Sequence, residues 1–410
     1  MNALWRGTPE FGRGGATGQT VRVKYVVCVP DGCADEPFEG LGGRTPLEVA
    51  RTPVLDELCR RGRVGRAAVI PEGMPPGSDV GNMAILGYDP AEFHTGRAPI
   101  EAASLGLKLP GDRLAYRCNL VTVGDDGTMV DFAGGHPSTA VAAEAIEALD
   151  AALGRGAGSG LEFHPGVEYR HIMVAPADWI DADCVPPHDL TGRPAVWPSG
   201  AAAERVAEVM RASRDVLRDA GVAGLGANQV WLWGQGFQPS MPAFTARHGV
   251  RGGITTAVDL VRGLGVLTDM EVPDVAGATA GYDTDYGAQR DAALAGLDGG
   301  LDLFVIHVEA TDEAGHAGDA AEKVRSLERW DAEILADLVA GLDRRGPWRL
   351  LLLPDHATPL ALRTHTPDPV PYLLVGEGIE ASGADLYTES AVAGEPVVAA
   401  HLLLDELLTV

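Results

Sequence analysis

The feature that most constrains the fold is a set of apolar runs, each followed by an acidic residue. They read VRVKYVVCVPDG (21–32), LDLFVIHVEA (301–310) and RLLLLPD (349–355). Runs that are apolar on both faces, combined with amphipathic helical segments such as 322–342, are typical of a mostly parallel sheet covered on both sides. The chain is therefore predicted to have an α/β core.

Two helix start signals follow the first of these strands. Thr45-Pro46-Leu47-Glu48 is a capping box with proline at the first helical position. Thr52-Pro53 repeats the signal ahead of VLDELCRRG, and Gly62 is expected to end that helix. The pattern predicts two short helices between the first strand and the next.

The segment 112–190 has a different pattern. It contains shorter strands, the helical stretch STAVAAEAIEALDAAL and a glycine-rich link at 154–160. We predict that it is an α+β cap inserted into a core formed by 21–111 and 191–410, and that NQVWLWGQG (228–236) returns to the main sheet. Residues 1–20 lack an apolar pattern and are predicted to be a flexible tail that folding and activity do not need.

The formal net charge of −26 excludes two classes of partner. An acidic surface repels nucleic acid and anionic membranes, and no apolar run reaches the length of about 18 residues that a membrane span needs. Lysine occurs only at Lys24, Lys108 and Lys323, so arginine, histidine, backbone amides or metal would have to bind an anionic substrate. The five scattered cysteines argue against disulfides and predict a reducing, cytoplasmic location.

Acidic residues and histidines gather at the predicted strand ends, where an open parallel sheet binds its ligands. Asp312 and His316 are four residues apart, so a helical turn places them on one face. Each aspartate alone could equally be a helix N-cap, and a single histidine is more often structural. Together they indicate two divalent metal ions such as Zn²⁺ or Mn²⁺, which suit phosphoryl transfer. The set is Asp31, Asp312, His316, Asp355, His356 and His365.

Ser78, in PPGSDVGNMAILGYDP (75–90), is a candidate nucleophile. It follows Gly77 at an expected helix start, where a serine is usually an N-cap. A hydroxyl in that place could also be activated by metal and could hold phosphate at the helix N-terminus. The two interpretations are compatible, and both stay open.

Taken together, these segments resemble the archaeal-type cofactor-independent (2,3-bisphosphoglycerate-independent) phosphoglycerate mutases of the alkaline phosphatase superfamily. The resemblance runs from about 21 to 405 and rests on VPDG, GSDVGNMAILGYDP, TGRAPIEAASLGL, RCNLVTV, VEATDEAGH and PDHATPLALRTHTPDPVPYLL. Within that group EATDEAGH, WLWGQG and LRTHTPDPVP are closer to a subgroup proposed as homoserine kinases. The resemblance implies a phosphoserine on Ser78, a cap over the site and two metals. One metal would be held by Asp312, His316 and His365, and the other by Asp31, Ser78, Asp355 and His356.

The region expected to recognise the substrate departs from this pattern. Relatives usually carry an Asn-x-x-Arg segment ahead of the tryptophan-rich strand, whereas this chain reads RDAGVAGLGANQV at 218–230. Other side chains are therefore candidates for contacts to an anion, with a surface or structural role as an equal alternative for each. They are Arg97, His136, Arg170, His171 and His188, the last beside Asp189.

The predicted function is a phosphotransferase that interconverts 3-phosphoglycerate and 2-phosphoglycerate in glycolysis. Its cofactors would be two divalent ions (Mn²⁺, Zn²⁺ or Mg²⁺) and its substrate a small phosphorylated carboxylate. The same catalytic half could instead serve a homoserine kinase, a biosynthetic transferase of a phosphonate-related group, or a phosphohydrolase. A metal-stabilised binding protein without activity is disfavoured, because all seven metal-site positions implied by the resemblance are filled.

Overall fold

The computed structural model describes residues 22–409, and the tail predicted for residues 1–20 lies outside that range. The strands are β1 (Lys24–Pro30), β2 (Arg63–Ala68), β3 (Arg113–Val123), β4 (Met129–Asp131), β5 (Glu162–Val167), β6 (Arg170–Pro176), β7 (Gln229–Gly236), β8 (Gly252–Thr255), β9 (Leu303–Val308), β10 (Trp348–Leu352), β11 (Val370–Gly376) and β12 (Val397–Ala399).

The α-helices are α1 (Pro46–Val49), α2 (Pro53–Arg61), α3 (Ser78–Ile85), α4 (Pro90–Phe93), α5 (Arg97–Ser104), α6 (Thr139–Leu153), α7 (Ala203–Ala220), α8 (Phe244–His248), α9 (Asp259–Leu267), α10 (Tyr286–Asp298), α11 (Ala310–Ala317), α12 (Ala320–Arg329), α13 (Ala336–Asp343) and α14 (Leu403–Thr409). A π-helical stretch, Trp330–Leu335, joins α12 to α13.

The main sheet has the strand order β12-β2-β11-β10-β1-β9-β8. Its strands run parallel except β11, which is antiparallel to both of its neighbours. Val27 and Val29 pack into one core and Val26 and Cys28 into another, so both faces of β1 are covered. The predicted α/β class with a mostly parallel core is confirmed, because strands that are buried on both faces read as continuous apolar runs.

The helix start signals after β1 lead to two different kinds of cap. The Thr45 hydroxyl accepts the Glu48 N–H at 3.2 Å, and the Glu48 carboxylate accepts the Thr45 N–H at 3.0 Å, which is the predicted capping box. Helix α2 begins at Pro53 and ends at Arg61 before Gly62, as predicted, but the Thr52 side chain makes no cap bond. The Asp331 carboxylate accepts the first free N–H groups of α2 instead, at 2.8 and 3.2 Å.

A second, antiparallel sheet has the order β4-β3-β6-β5, with β7 paired to the other edge of β3. Helices α6 and α7 pack on one face of it and share a separate apolar core that includes Tyr116 and Trp231. The prediction that 228–236 returns to the main sheet is wrong, since Trp231 pairs with Asn119 of β3. The boundary predicted at residue 190 thus falls inside this inserted unit, which runs from β3 to β7.

Helix α5 of the core packs against the inserted unit. Ala98 and Ala102 of α5 pack against Ala115, Ile172 and Val174 on the face of the second sheet that α6 and α7 leave uncovered. The small alanine side chains allow a close approach of helix to sheet. The five cysteines are free, as the sequence suggested. Within residues 22–409, no helix combines the length and apolar character needed to cross a bilayer.

Candidate active site

The site is built at the ends of three neighbouring strands. Strands β10, β1 and β9 lie side by side and parallel, so the loops that follow them meet at one edge of the sheet. Asp31 follows β1, Asp355 follows β10, and Asp312 lies in α11, the helix after β9. The Asp31 N–H donates to the Val308 carbonyl at 2.9 Å, which fixes the first of these loops to the end of β9.

Asp312, His316 and His365 form one candidate ligand group, which we call the open group. The Asp312 carboxylate lies 3.2 Å from His316 Nε2 and 3.5 Å from His365 Nε2, and the two Nε2 atoms are 3.0 Å apart. The His316 side chain is 36 % exposed, so solvent reaches this group. Although burial opposes it, the bond to the Asp312 carboxylate raises the pKa of His316 to about 9.

Asp31, Asp355 and His356 form the second candidate group, which we call the buried group. His356 Nε2 lies 3.5 Å from Asp31 Oδ1 and 3.7 Å from Asp355 Oδ2. Burial lowers the pKa of His356 to about 4, which leaves its imidazole neutral. Burial and the charges of Asp355 and Asp312 raise the pKa of Asp31 well above its usual value.

The Asp31 carboxylate provides a test of whether a cation fits the buried group. Both of its oxygens are buried and neither makes a hydrogen bond of good geometry, although His307 Nε2 lies 3.2 Å from Oδ2. A buried, unsatisfied carboxylate beside a second carboxylate is costly unless a positive charge neutralises it. Oxygen and imidazole nitrogen donors are ligands that Zn²⁺ and Mn²⁺ accept. The residues present therefore fit a divalent metal ion.

Ser78, the first residue of α3, lies beside the buried group. Its Oγ is 3.2 Å from His356 Nε2. The helix cap is Gly77, so the serine does not serve as the N-cap. Asn82, one turn further along α3, donates to Asp355 Oδ2 at 2.7 Å. A side chain at Gly81 would collide with the Asp355 carbonyl, so glycine there lets α3 approach the loop after β10.

Three residues of this site were missed by the sequence reasoning. Glu309 forms a further candidate group with Asp31 and Asp312. His307 is fully buried, with its Nε2 3.2 Å from Asp31 Oδ2. The Thr358 hydroxyl contacts Asp312. His307 is the second-last residue of β9 and Glu309 comes directly after the strand. Their spacing of two residues in HVEATD could have revealed that both side chains point to the same side.

Two of the predicted substrate contacts belong to the inserted unit and lie near the ligand groups. Burial raises the pKa of Glu309, while the positive charge of Arg170 opposes that shift; the buried Nε of Arg170 has no hydrogen-bond partner. Burial lowers the pKa of His188 to about 4, and the charges of Arg97 and His365 act in the same direction. The charge of Arg170 thus acts on Glu309, and that of His365 in the open group acts on His188.

Arg97 is one of a pair of arginines held by the same two residues. Its Nε lies 3.5 Å from the Glu101 carboxylate, and its guanidinium is 5.7 Å from the centre of the Trp233 ring. Arg117 of β3 is buried, contacts Glu101 at 2.8 Å and stacks on the same ring at 4.5 Å. The sequence reasoning missed Arg117, although an arginine inside a buried strand is an unusual signal.

The other two predicted contacts have different surroundings. The His136 side chain is 66 % exposed and lies 3.7 Å from the Glu168 carboxylate. His171 Nδ1 accepts the Gly166 N–H at 2.9 Å, and burial lowers the pKa of His171 to about 3. Its position in β6, two residues before Met173, directs it to the core of the inserted unit. These contacts support a surface role for His136 and a structural role for His171.

Solved structures with this architecture define the class of protein. A cofactor-independent phosphoglycerate mutase from Thermoplasma acidophilum superposes with a TM-score of 0.61 at 25 % identity, over 94 % of this chain and 99 % of that one. A protein of Pyrococcus horikoshii superposes with a TM-score of 0.76 at 25 % identity, over 95 % and 97 %. The fold is that of the cofactor-independent phosphoglycerate mutases.

Sequence comparison gives the family. The family model described as 2,3-bisphosphoglycerate-independent phosphoglycerate mutase matches residues 59–223. A mutase of that name from Methanothrix thermoacetophila is 45 % identical over 90 % of this chain and 94 % of its own length. A probable mutase from Geobacter sulfurreducens is 43 % identical over 92 % and 96 %. The chain belongs to the 2,3-bisphosphoglycerate-independent phosphoglycerate mutase family, which is a family of enzymes.

Proposed function

We propose that this chain interconverts 3-phosphoglycerate and 2-phosphoglycerate through a phosphoserine at Ser78. The observation that carries the proposal is the position of the Ser78 hydroxyl, 3.2 Å from His356 in a site that contains two Asp/His ligand groups. The mutases named among the relatives support the same reaction. The substrate would be a small phosphorylated carboxylate, and the free cysteines agree with a cytoplasmic location, which stays a prediction.

The two ligand groups would hold two divalent ions, Mn²⁺, Zn²⁺ or Mg²⁺. Asp312, His316 and His365 would bind one of them. The other would be bound by Asp31, Asp355 and His356, with the Ser78 oxygen beside it. When bound, such ions lower the pKa of a nearby hydroxyl and neutralise charge on a transferring phosphoryl group.

The chain's own residues then define the two transfer steps. The Ser78 oxygen attacks the phosphorus of 3-phosphoglycerate, the bond from phosphorus to the substrate O3 breaks, and the serine proton ends on that oxygen. In the second step O2 of the bound glycerate attacks the phosphorus of the phosphoserine, the bond from phosphorus to the Ser78 oxygen breaks, and the proton of O2 ends on that oxygen. Helix α3 presents its N-terminus to the phosphate, which favours negative charge there.

The inserted unit would hold the carboxylate and exclude water. Arg97 contacts Trp233 of the inserted unit, Arg170 acts electrostatically on Glu309, and Arg97 and His365 act on His188, which supports a role for these three side chains in binding the anion. Glycerate must turn between the two steps without leaving, and water must be kept from the phosphoserine. Arginine contacts would hold the carboxylate of glycerate while it turns, and the inserted unit would keep water out by covering the site.

The test is an activity panel on chelator-treated protein to which Mn²⁺, Zn²⁺ or Mg²⁺ is returned. We expect formation of 2-phosphoglycerate from 3-phosphoglycerate, loss of activity in the Arg170→Ala variant, and little effect of His136→Ala. Homoserine with ATP and p-nitrophenyl phosphate are the comparison substrates. Faster turnover of either would replace the mutase assignment by a kinase or a phosphohydrolase.

A further inference from the structure

One buried hydroxyl lies between the open group and the buried group. Thr358 is fully buried, and its Oγ1 lies 2.5 Å from Asp312 Oδ1 and 3.2 Å from His356 Nδ1. Asp312 belongs to the open group and His356 to the buried group. A single side chain that is not itself a candidate ligand therefore contacts one ligand of each group.

Donor chemistry fixes the direction of both hydrogen bonds. A carboxylate oxygen accepts, so the Thr358 hydroxyl proton points to Asp312. The threonine oxygen is then left to accept the Nδ1–H of His356. With its proton on Nδ1, His356 has a lone pair on Nε2, the atom that faces Asp31 Oδ1 at 3.5 Å. This is the tautomer that can bind a metal through Nε2.

The surroundings leave Thr358 little freedom to move. A side chain at Gly32 would collide with the Thr358 hydroxyl, and one at Gly315 would collide with its backbone carbonyl. The Lys323 ammonium donates to that carbonyl at 2.7 Å. The loop after β1 therefore packs against the Thr358 hydroxyl, and α11 and α12 contact its backbone carbonyl.

We propose that Thr358 is a positioning residue that couples the two ligand groups, orienting Asp312 and selecting the tautomer of His356 with one hydroxyl. The inference rests on the proposed metal site. The Thr358 hydroxyl contacts a candidate ligand of each group. Its loss weakens the binding of both ions, whereas His365→Ala removes a ligand of the open group and weakens one.

The experiment is a calorimetric titration of Mn²⁺ into chelator-treated protein. Thr358→Val keeps the shape of the side chain and removes the hydroxyl, while Thr358→Ser keeps the hydroxyl. We expect the valine variant to bind both ions about 10–100-fold more weakly, the usual effect of losing a partner behind a metal ligand. The serine variant should bind close to wild type. Thr268→Val, which removes a buried hydroxyl bonded to the Leu264 carbonyl within α9, is the matched control.

Each other outcome has a defined meaning. Unchanged Mn²⁺ binding in Thr358→Val, weakening of one ion alone, or equal weakening in Thr358→Ser would overturn the coupling role and leave the metal site standing. Failure of the wild-type chain to bind Mn²⁺, Zn²⁺ or Mg²⁺ would overturn the metal site and the role of Thr358 together. Circular dichroism on each variant verifies that the fold is intact.

Discussion

At the scale of single residues, Ser78 and Ser138 differ in what their hydroxyls do. Ser138 is the N-cap of α6, and its hydroxyl accepts the Val141 N–H at 3.4 Å. Ser78 follows a glycine cap, and its hydroxyl faces His356. The first serine stabilises a helix, and the second is available for chemistry.

We predict that Ser78→Ala abolishes phosphoryl transfer while the free energy of unfolding changes little. Ser138→Ala, the matched control, should lose about 0.5–2 kcal/mol of stability, as expected for a lost cap, and retain its activity. Denaturant unfolding, a mutase assay and intact-mass detection of the phosphorylated chain measure these effects. Retained turnover in Ser78→Ala would point to direct transfer between substrate oxygens.

Glu389 gives a prediction about pH. Its carboxylate accepts the Asp35 N–H at 2.9 Å and the Thr45 hydroxyl at 2.7 Å, and burial raises its pKa to about 7. Because the folded state then binds more protons than the unfolded state between pH 4.5 and 7, this group makes stability fall as pH rises through that window.

Glu389→Gln should remove that part of the pH dependence. Relative to the variant, the wild-type chain should lose on the order of 1–3 kcal/mol of unfolding free energy between pH 5 and pH 8, since each unit of pKa shift is worth about 1.4 kcal/mol. Urea unfolding at several pH values measures the difference. Glu395→Gln, at an exposed position nearby, is the control, and parallel curves for wild type and Glu389→Gln would contradict the assignment.

At the scale of elements, Lys323 of α12 connects two loops that carry candidate ligands. It is fully buried on α12, the helix after α11. Its ammonium pairs with the Asp35 carboxylate at 2.8 Å in the loop after β1, and it donates to the Thr358 carbonyl after β10. The Asp35 carboxylate also accepts the Leu360 N–H at 3.2 Å. One ion pair thus fixes both loops to a helix.

We predict that Lys323→Met destabilises the fold by about 3–5 kcal/mol, because it leaves the buried Asp35 charge without a partner. Combining it with Asp35→Asn should restore part of this loss. Lys24→Met removes a lysine bond to a backbone carbonyl, that of Leu301, far from the ligand loops and should cost only about 1 kcal/mol. Thermal and urea unfolding measure the stability of Lys323→Met, of its combination with Asp35→Asn, and of Lys24→Met. Equal losses of unfolding free energy in Lys323→Met and Lys24→Met would contradict the prediction.

At the scale of the whole molecule, the inserted unit enters and leaves the core at one place. Ala115 near the start of β3 pairs with Gly236 at the end of β7. The ends of the unit are therefore adjacent, and a short linker could replace it. Cutting at residue 190 instead would leave α7 and β7 without the strands on which they pack.

We predict that replacing 113–236 by a short linker yields a folded, metal-dependent phosphohydrolase without mutase activity, since water then reaches the phosphoserine. Removing only 112–190 should give a misfolded protein, because the apolar face of β7 loses its partners. Size-exclusion chromatography, circular dichroism and hydrolysis of p-nitrophenyl phosphate measure the outcome. If the intact chain already hydrolyses this ester as fast as it transfers phosphate, the inserted unit does not exclude water.

The sequence alone determined three adjacent strands of the main sheet and the positions of the candidate ligands beside them. Strands β1, β9 and β10 are buried on both faces, so each reads as an apolar run without its neighbours being known. Asp31, Asp312 and Asp355 stand next to those runs, and the end of a parallel strand is where a ligand can bind. Their neighbours in sequence, such as His316 and His356, were found with them for the same reason.

Only the tertiary structure decided which strand pairs with which and which side chains meet across the chain. Strand β7 is as apolar as a main-sheet strand, and its pairing with β3 depends on packing against α7 and β3 rather than on its own pattern. Thr358 is a loop threonine in sequence and becomes a link between two ligand groups through contacts 46 and 2 residues away. The local pattern of apolar residues encodes secondary structure, whereas contacts between residues distant in sequence depend on the packing free energy of the whole folded chain.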